Sequence, residues 1–150
     1  MSERRTLKFA NADAVAAEVG RLRKGYNRSG EWSLPQICKH LDVAMRFSMK
    51  PPKERKPPRK VGFLQWTQLR VILLTGRIPA GFPAPERIIP PDDTPESAID
   101  EFLAALREWE NFTGEFNPHP MLGQMSHREG VRLHLIHCAH HLGFLSPAGK

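Results

Sequence analysis

Four of the seven histidines in this 150-residue chain lie close together near its C-terminus, in the stretch LHLIHCAHHLGF (133–144). His137 and His141 are four residues apart, so on a helix their imidazoles share one face and can bind the same metal ion. Leu133 and Phe144 belong to the same stripe, and burying two ionisable rings on an apolar stripe is costly unless both have partners. A metal ion would satisfy both rings, and so would ordinary hydrogen bonds.

Spacing alone does not select this pair. His134 with His137, His137 with His140, and His134 with His141 are also sterically allowed pairings. His40 adds a third candidate ligand, because it lies on the apolar side of another predicted helix and metal sites in bundles are built from facing helices. Three neutral imidazoles with one open position are typical of a catalytic metal site.

Helical periodicity and end signals predict five helices. Ser33 with Gln36, and Ser126 with Glu129, form capping boxes at the second and fifth of them. Thr94 is the predicted cap of the fourth. The predicted spans are about Asn11 to Ser29 (stopped at Gly30), Leu34 to Met49, Val61 to Thr75, Pro95 to about Thr113, and Ser126 through Phe144.

The third predicted helix, VGFLQWTQLRVILLT (61–75), is apolar nearly all round, which predicts burial on several sides. Its β-branched end would also suit a strand, but no second strand-like run exists to pair with it, and Gly76 closes it. The sequence therefore predicts one all-α domain over residues 1–150, most simply an antiparallel helical bundle with long connections. The three tryptophans, Trp32, Trp66 and Trp109, are interpreted as core anchors.

The basic character of the chain comes from one segment. Residues 50–60, KPPKERKPPRK, supply +5 of the formal charge of +6, and their four prolines prevent a helix. We interpret this segment as a solvated loop in preference to a polyanion contact, and we do not expect nucleic-acid binding because no helix carries a basic stripe. A second Pro-rich stretch, 77–93, is expected to be an irregular connection.

Cys38 and Cys138 are expected to be small core residues, since neither shares a helix face with its neighbouring histidine. No apolar run approaches the roughly 18 residues that span a bilayer. The N-terminus lacks the apolar region of a secretory signal. The expected location is therefore the cytoplasm, with no membrane partner.

Three short patterns follow one another along nearly the whole chain. A W…HL pattern (Trp32-Ser33 through Ile37-Cys38-Lys39-His40-Leu41) opens the second helix, HPxxG (119–123) precedes the last, and HxxHHL (137–142) lies within it. With these patterns the chain resembles the DinB/YfiT-like superfamily of metal-dependent proteins, and most of all a subfamily known only as a domain of unknown function.

The resemblance implies a DinB-like four-helix bundle, here with room for one additional short helix, and often a homodimer. It implies a metal triad of His40, His137 and His141, which selects among the pairings that spacing left open. Characterised relatives are thiol S-transferases, isomerases or hydrolases that use a divalent ion. Gly130 stands where relatives often carry Trp, and the basic insertion is unusual, so both differences concern the substrate pocket.

The leading hypothesis is a metal-dependent thiol S-transferase or hydrolase that activates a thiol or water, with zinc, nickel or iron as the metal and a low-molecular-weight thiol as co-substrate. The alternatives are a non-catalytic metal-binding or stress-associated module and, with less support, a polyanion-binding protein. No catalytic proton-transfer residue and no specific substrate can be assigned. His119 is expected either to line the open face or to cap the last helix, His140 to lie at the surface or behind a ligand, and His127 and His134 to be solvated.

Overall fold

The computed structural model describes residues 3–51, 62–79 and 88–149, so most of the basic segment 50–60 and the middle of the connection 77–93 lie outside the described residues. The described chain is mainly helical, with five helices and two short strands. No described helix is long and apolar enough to cross a membrane. The elements are α1 (Ala12–Arg23), β1 (Tyr26–Arg28), α2 (Leu34–Ser48), α3 (Phe63–Thr75), α4 (Ser97–Glu110), α5 (His127–Leu142) and β2 (Leu145–Pro147).

Both predicted capping boxes are confirmed, and they fix the starts of the two helices that carry the candidate ligands. The Ser33 hydroxyl accepts the backbone N–H of Gln36, whose side-chain oxygen accepts the Ser33 N–H at 2.8 Å. Ser126 and Glu129 make the same reciprocal pair at the start of α5. Each box satisfies two backbone donors that the first turn would otherwise leave free.

The first helix ends earlier than predicted. It ends at Arg23, and Gly25 then adopts a φ of +144° that side-chain-bearing residues rarely adopt. The chain continues into β1, which pairs antiparallel with β2, so the prediction of Gly30 as the helix stop was wrong. The described chain is mainly helical, as the predicted fold class requires, and the small two-stranded sheet is an addition that the sequence analysis did not predict. Strands of three residues are too short to show the alternation from which a strand is predicted.

The predicted cap of the fourth helix was also wrong. α4 begins at Ser97 with Glu96 in the cap position and no side-chain capping bond. The Thr94 hydroxyl instead donates to the Pro91 carbonyl, in a turn that precedes the helix. A helix that starts without a side-chain cap leaves no cap signal in its sequence.

Two apolar clusters hold the helices together. The larger one is shared by α1, α2, α4 and α5, and α2 packs most extensively against α4. Both cysteines are free and buried in it, as predicted. The smaller cluster joins α3 to the other side of α5, through Leu69, Ile72, Leu73, Ile78, Leu122, Met125, Leu133 and Ile136.

The prediction that α3 is buried on several sides was wrong for a single copy of the chain. Only Leu69, Ile72 and Leu73 of this helix are buried. Trp66 is 52% exposed, so its interpretation as a core anchor was wrong, whereas Trp109 is buried. The apolar surface that α3 leaves open has no cover among the described residues.

A buried ion pair attaches the N-terminal segment to the helices. The Glu18 carboxylate is 1% exposed and accepts hydrogen bonds from Arg5 and from Arg21, the latter at 3.0 Å from Nε. Arg5 also donates to the Leu145 carbonyl at 2.6 Å. Burial alone would raise the pKa of Glu18, but the bonds from the two guanidinium groups outweigh it and lower the pKa. The segment that carries Arg4 and Arg5 is therefore held along the end of α5.

We predict that Glu18→Gln destabilises the fold at neutral pH by about 2 kcal/mol, because a buried charge-assisted network loses its anion. A carboxyl whose folded pKa is lowered contributes stability above its unfolded pKa of about 4.3 and loses it as the pH falls through the folded value. The difference between wild type and variant in urea unfolding should therefore shrink at acidic pH. A constant difference across that range would contradict the charge-based explanation.

Gly130 is required by close packing on α5. A Cβ at this position would lie 2.9 Å from Cε2 of Phe116, and closer still to its Cδ2, while Phe116 itself is buried. We predict that Gly130→Ala destabilises the protein by about 1–3 kcal/mol through overpacking. Gly20→Ala is the matched control, because nothing lies within 4 Å of a Cβ there, and it should stabilise α1 by up to about 1 kcal/mol. Equal effects in thermal unfolding would contradict this account.

Candidate metal centre

His40 lies in the middle of α2 and is held in one tautomer. Its side chain is buried, and Nδ1 lies 3.1 Å from the carbonyl oxygen of Ile88. A carbonyl can only accept, so Nδ1 carries the proton and donates it. Burial lowers the pKa of His40 more than this bond raises it, which keeps the ring neutral. The Nε2 lone pair is therefore free to bind an electrophile.

The other two rings come from α5 and point their Nε2 atoms to the same place. His137 Nε2 lies 3.1 Å from His40 Nε2 and 3.0 Å from His141 Nε2. Burial and the neighbouring histidines lower the pKa of both α5 rings well below the ordinary value. Of the pairings that spacing allowed, His137 with His141 is the one that meets His40, and the three ligand atoms all lie within 4.8 Å of one another.

The protons of three neutral rings cannot satisfy these contacts. His40 has its proton on Nδ1, so a hydrogen bond between His40 and His137 requires the proton to be on Nε2 of His137. A single N–H directed at His40 cannot also point at His141 Nε2. A proton placed on His141 instead leaves two lone pairs facing each other between His40 and His137. At least one short contact is therefore unfavourable in the metal-free protein.

Two of the three Nε2 separations fit binding to one metal ion. Imidazole nitrogens bound at about 2.0–2.1 Å to one ion lie roughly 2.9–3.4 Å apart in octahedral or tetrahedral geometry. The two short Nε2 separations, 3.1 and 3.0 Å, lie in that range. One cation would accept all three lone pairs and remove the proton imbalance. Among the described residues, this group consists of the three histidines alone and includes no cysteine and no carboxylate.

Trp32 covers one side of the three rings. Its indole stacks on His141, with ring centroids 5.4 Å apart and an interplanar angle of 14°, and it tilts over His40 at 5.0 Å. Trp32 directly precedes the cap residue Ser33, so the capping box that starts α2 also places this ring. Half-buried Trp32 therefore packs against the larger apolar cluster, as predicted, and also covers the three rings, which was not predicted.

His140 packs behind His141. The two rings meet edge to face, with centroids 4.8 Å apart, and His140 Nδ1 is hydrogen-bonded by Arg4 Nη1. Arg4 also donates to the Ile78 carbonyl at 3.1 Å. Burial, followed by the charge of Arg4, lowers the pKa of His140 to about 4. His140 thus supports a candidate ligand and is itself outside the group of three.

His119 holds the turn that leads into α5. Its Nδ1 accepts the backbone N–H groups of Met121 and Leu122, at 3.0 and 3.1 Å, and its own backbone pairs with Gly123. Burial lowers the pKa of His119 to about 4. Its contacts within the described ranges do not include the three converging rings, so its place at the open face of the site stays a prediction.

The remaining histidines differ from one another. The prediction that His134 is solvated was wrong. Its ring packs edge-on against Trp109 and Phe116, and burial lowers its pKa to about 4. His127 is exposed, with Nδ1 donating to the Gly114 carbonyl at 2.9 Å. Sequence reasoning missed Ile88 and Arg4. The role of Ile88 rests on its backbone carbonyl, which leaves no signal in residue type.

Comparison with known proteins gives a family and no activity. No curated protein matches the chain, and no solved structure matches it. The family described as "Protein of unknown function (DUF1569)" matches residues 1–148, which is almost the whole chain. Because the match covers almost all of its residues, the chain belongs to the DUF1569 family.

Proposed function

We propose that His40, His137 and His141 bind one divalent metal ion and that the chain is a metal-dependent enzyme that activates a thiol or water. The observation that carries the proposal is the convergence of three Nε2 atoms that neutral protons cannot satisfy. A divalent ion bound there supplies a Lewis acid that lowers the pKa of a thiol or water and makes a nucleophile near neutral pH.

The fold part of the proposal is a DinB-like four-helix bundle made of α1, α2, α4 and α5, with α3 as the additional helix. Its support is the shared apolar cluster of those four helices, to which α3 does not contribute. The candidate ligands then come from the second and last helices of the bundle. This is the arrangement that the resemblance to the DinB/YfiT-like superfamily implies.

The residues around the three rings support a catalytic site more than a closed structural one. His40 is held by the Ile88 carbonyl, and Trp32 shields the His40 and His141 rings on one side. Three protein donors leave at least one position for an exchangeable ligand. The contacts and charges that act on the three rings include Arg4 and no carboxylate among the described residues, so an anionic ligand such as a thiolate is favoured.

The donor set narrows the choice of metal. Three neutral imidazoles suit zinc, nickel and iron, whereas calcium and magnesium select oxygen ligands. The group contains no carboxylate among the described residues. The proposed cofactors are therefore zinc, nickel or iron, together with a low-molecular-weight thiol as co-substrate.

We predict that untagged protein contains close to one metal ion per chain, measured by plasma mass spectrometry after gel filtration. The double variant His137→Ala/His141→Ala should lose it, because two of the three donors are gone. His127→Ala is the matched control, since this exposed ring contacts Phe116 and lies outside the group of three. Protein that stays metal-free when offered zinc, nickel and iron would contradict the proposal.

We also predict that a low-molecular-weight thiol changes the visible absorption of the cobalt-substituted protein, because the thiol would bind at the open position. The same protein should then accelerate the reaction of that thiol with an electrophile. Methanol, added at equal concentration as the oxygen analogue, controls for general solvent effects. Bound metal without any thiol response or any hydrolytic activity would favour the non-catalytic metal-binding module.

A further inference from the structure

Helix α3 exposes an apolar face that the described chain leaves uncovered. Its two outermost side chains, Phe63 and Leu74, are 81% and 85% exposed. Leu69, Ile72 and Leu73 point to α5, so the exposed residues lie on the other side of the helix. The complete exposed apolar set is Phe63, Leu64, Trp66, Val71 and Leu74.

This face has almost no charge, although the chain as a whole is basic. The only ionisable residue in α3 is Arg70. Its guanidinium forms an ion pair with Glu129 at 2.6 Å and lies over the Trp66 ring at 5.5 Å. Two copies of this face can therefore approach each other without repulsion between unpaired like charges.

The two most exposed residues of α3 form a symmetric pair about a point near the middle of the helix. Phe63 and Leu74 are equally far from the midpoint between Gln68 and Leu69, and their spacing of about three helical turns places both on the same side of the helix. Two α3 helices that pack antiparallel about that midpoint place Phe63 opposite Leu74 of the second copy. A two-fold interface requires this kind of self-complementary pattern.

The size of the face also fits a dimer. At about 200 Å² for a large apolar side chain, the exposed fractions of the five residues amount to roughly 650–700 Å². This exceeds the few hundred Å² usual for the surface of a monomer. It approaches the roughly 800 Å² that each partner contributes to a standard interface.

We propose that the chain forms a two-fold symmetric homodimer through antiparallel packing of α3. This interface explains why only one side of a nearly all-apolar helix packs against the described part of its own chain. It lies on the side of α3 away from α5 and does not depend on the proposed metal chemistry.

The test is sedimentation equilibrium of the full chain over a range of micromolar concentrations. Wild type should fit a monomer–dimer equilibrium. Phe63→Glu and Leu74→Lys should each raise the dimer Kd about a hundredfold, because each buries an unpaired charge twice in the symmetric interface. The double variant should recover to within about tenfold of wild type, because each introduced Glu then faces a Lys of the second copy. Ile89→Glu is the control, since Ile89 is 49% exposed outside α3, and it should leave the Kd unchanged.

A wild-type protein that stays monomeric would overturn the proposal, and so would single variants that dimerise normally or a double variant that does not recover. Circular dichroism checks that each variant is folded. Hydrogen exchange on wild type gives a readout that needs no variant: amides of residues 63–75 should become more protected as concentration rises. Protection that does not change with concentration would also overturn the proposal.

Discussion

The bond from His40 Nδ1 to the Ile88 carbonyl is the constraint on which the three-histidine group depends most. It fixes the proton of this buried ring on Nδ1 and leaves the Nε2 lone pair 3.1 Å from His137 Nε2, which in turn lies 3.0 Å from His141 Nε2. Neutral rings cannot hydrogen-bond all of these contacts, and burial opposes their protonation. In the proposed metal-bound form, one cation accepts a lone pair from each of the three rings and thereby stabilises the fold.

Much of the remaining structure serves to hold these rings in place. The capping box at Ser33 starts the helix of His40 and places Trp32 over the rings. The buried carboxylate of Glu18 holds the N-terminal segment against the end of α5, which brings Arg4 to His140 and so supports His141 from behind. Stability and site geometry therefore depend on the same contacts, and loosening the N-terminal segment would loosen the site.

Several of these features could be predicted from the sequence because they depend on local patterns. The capping boxes, the shared helix face of His137 and His141, and the buried cysteines follow from residue type and spacing. Spacing could not choose between the histidine pairings, and the resemblance to the DinB/YfiT-like superfamily made that choice.

Features that depend on distant parts of the chain could not be predicted in this way. The two short strands pair residues more than a hundred positions apart, the bond to His40 uses the backbone carbonyl of Ile88, and the His134 ring packs against Trp109 and Phe116 from outside its helix.

The central claim is that His40, His137 and His141 bind one metal ion, and X-ray absorption spectroscopy of the metal-loaded protein tests it most directly. We predict three imidazole nitrogens at about 2.0–2.1 Å. Fewer than three imidazoles, or sulfur from a cysteine in the first shell of the purified protein, would contradict the account.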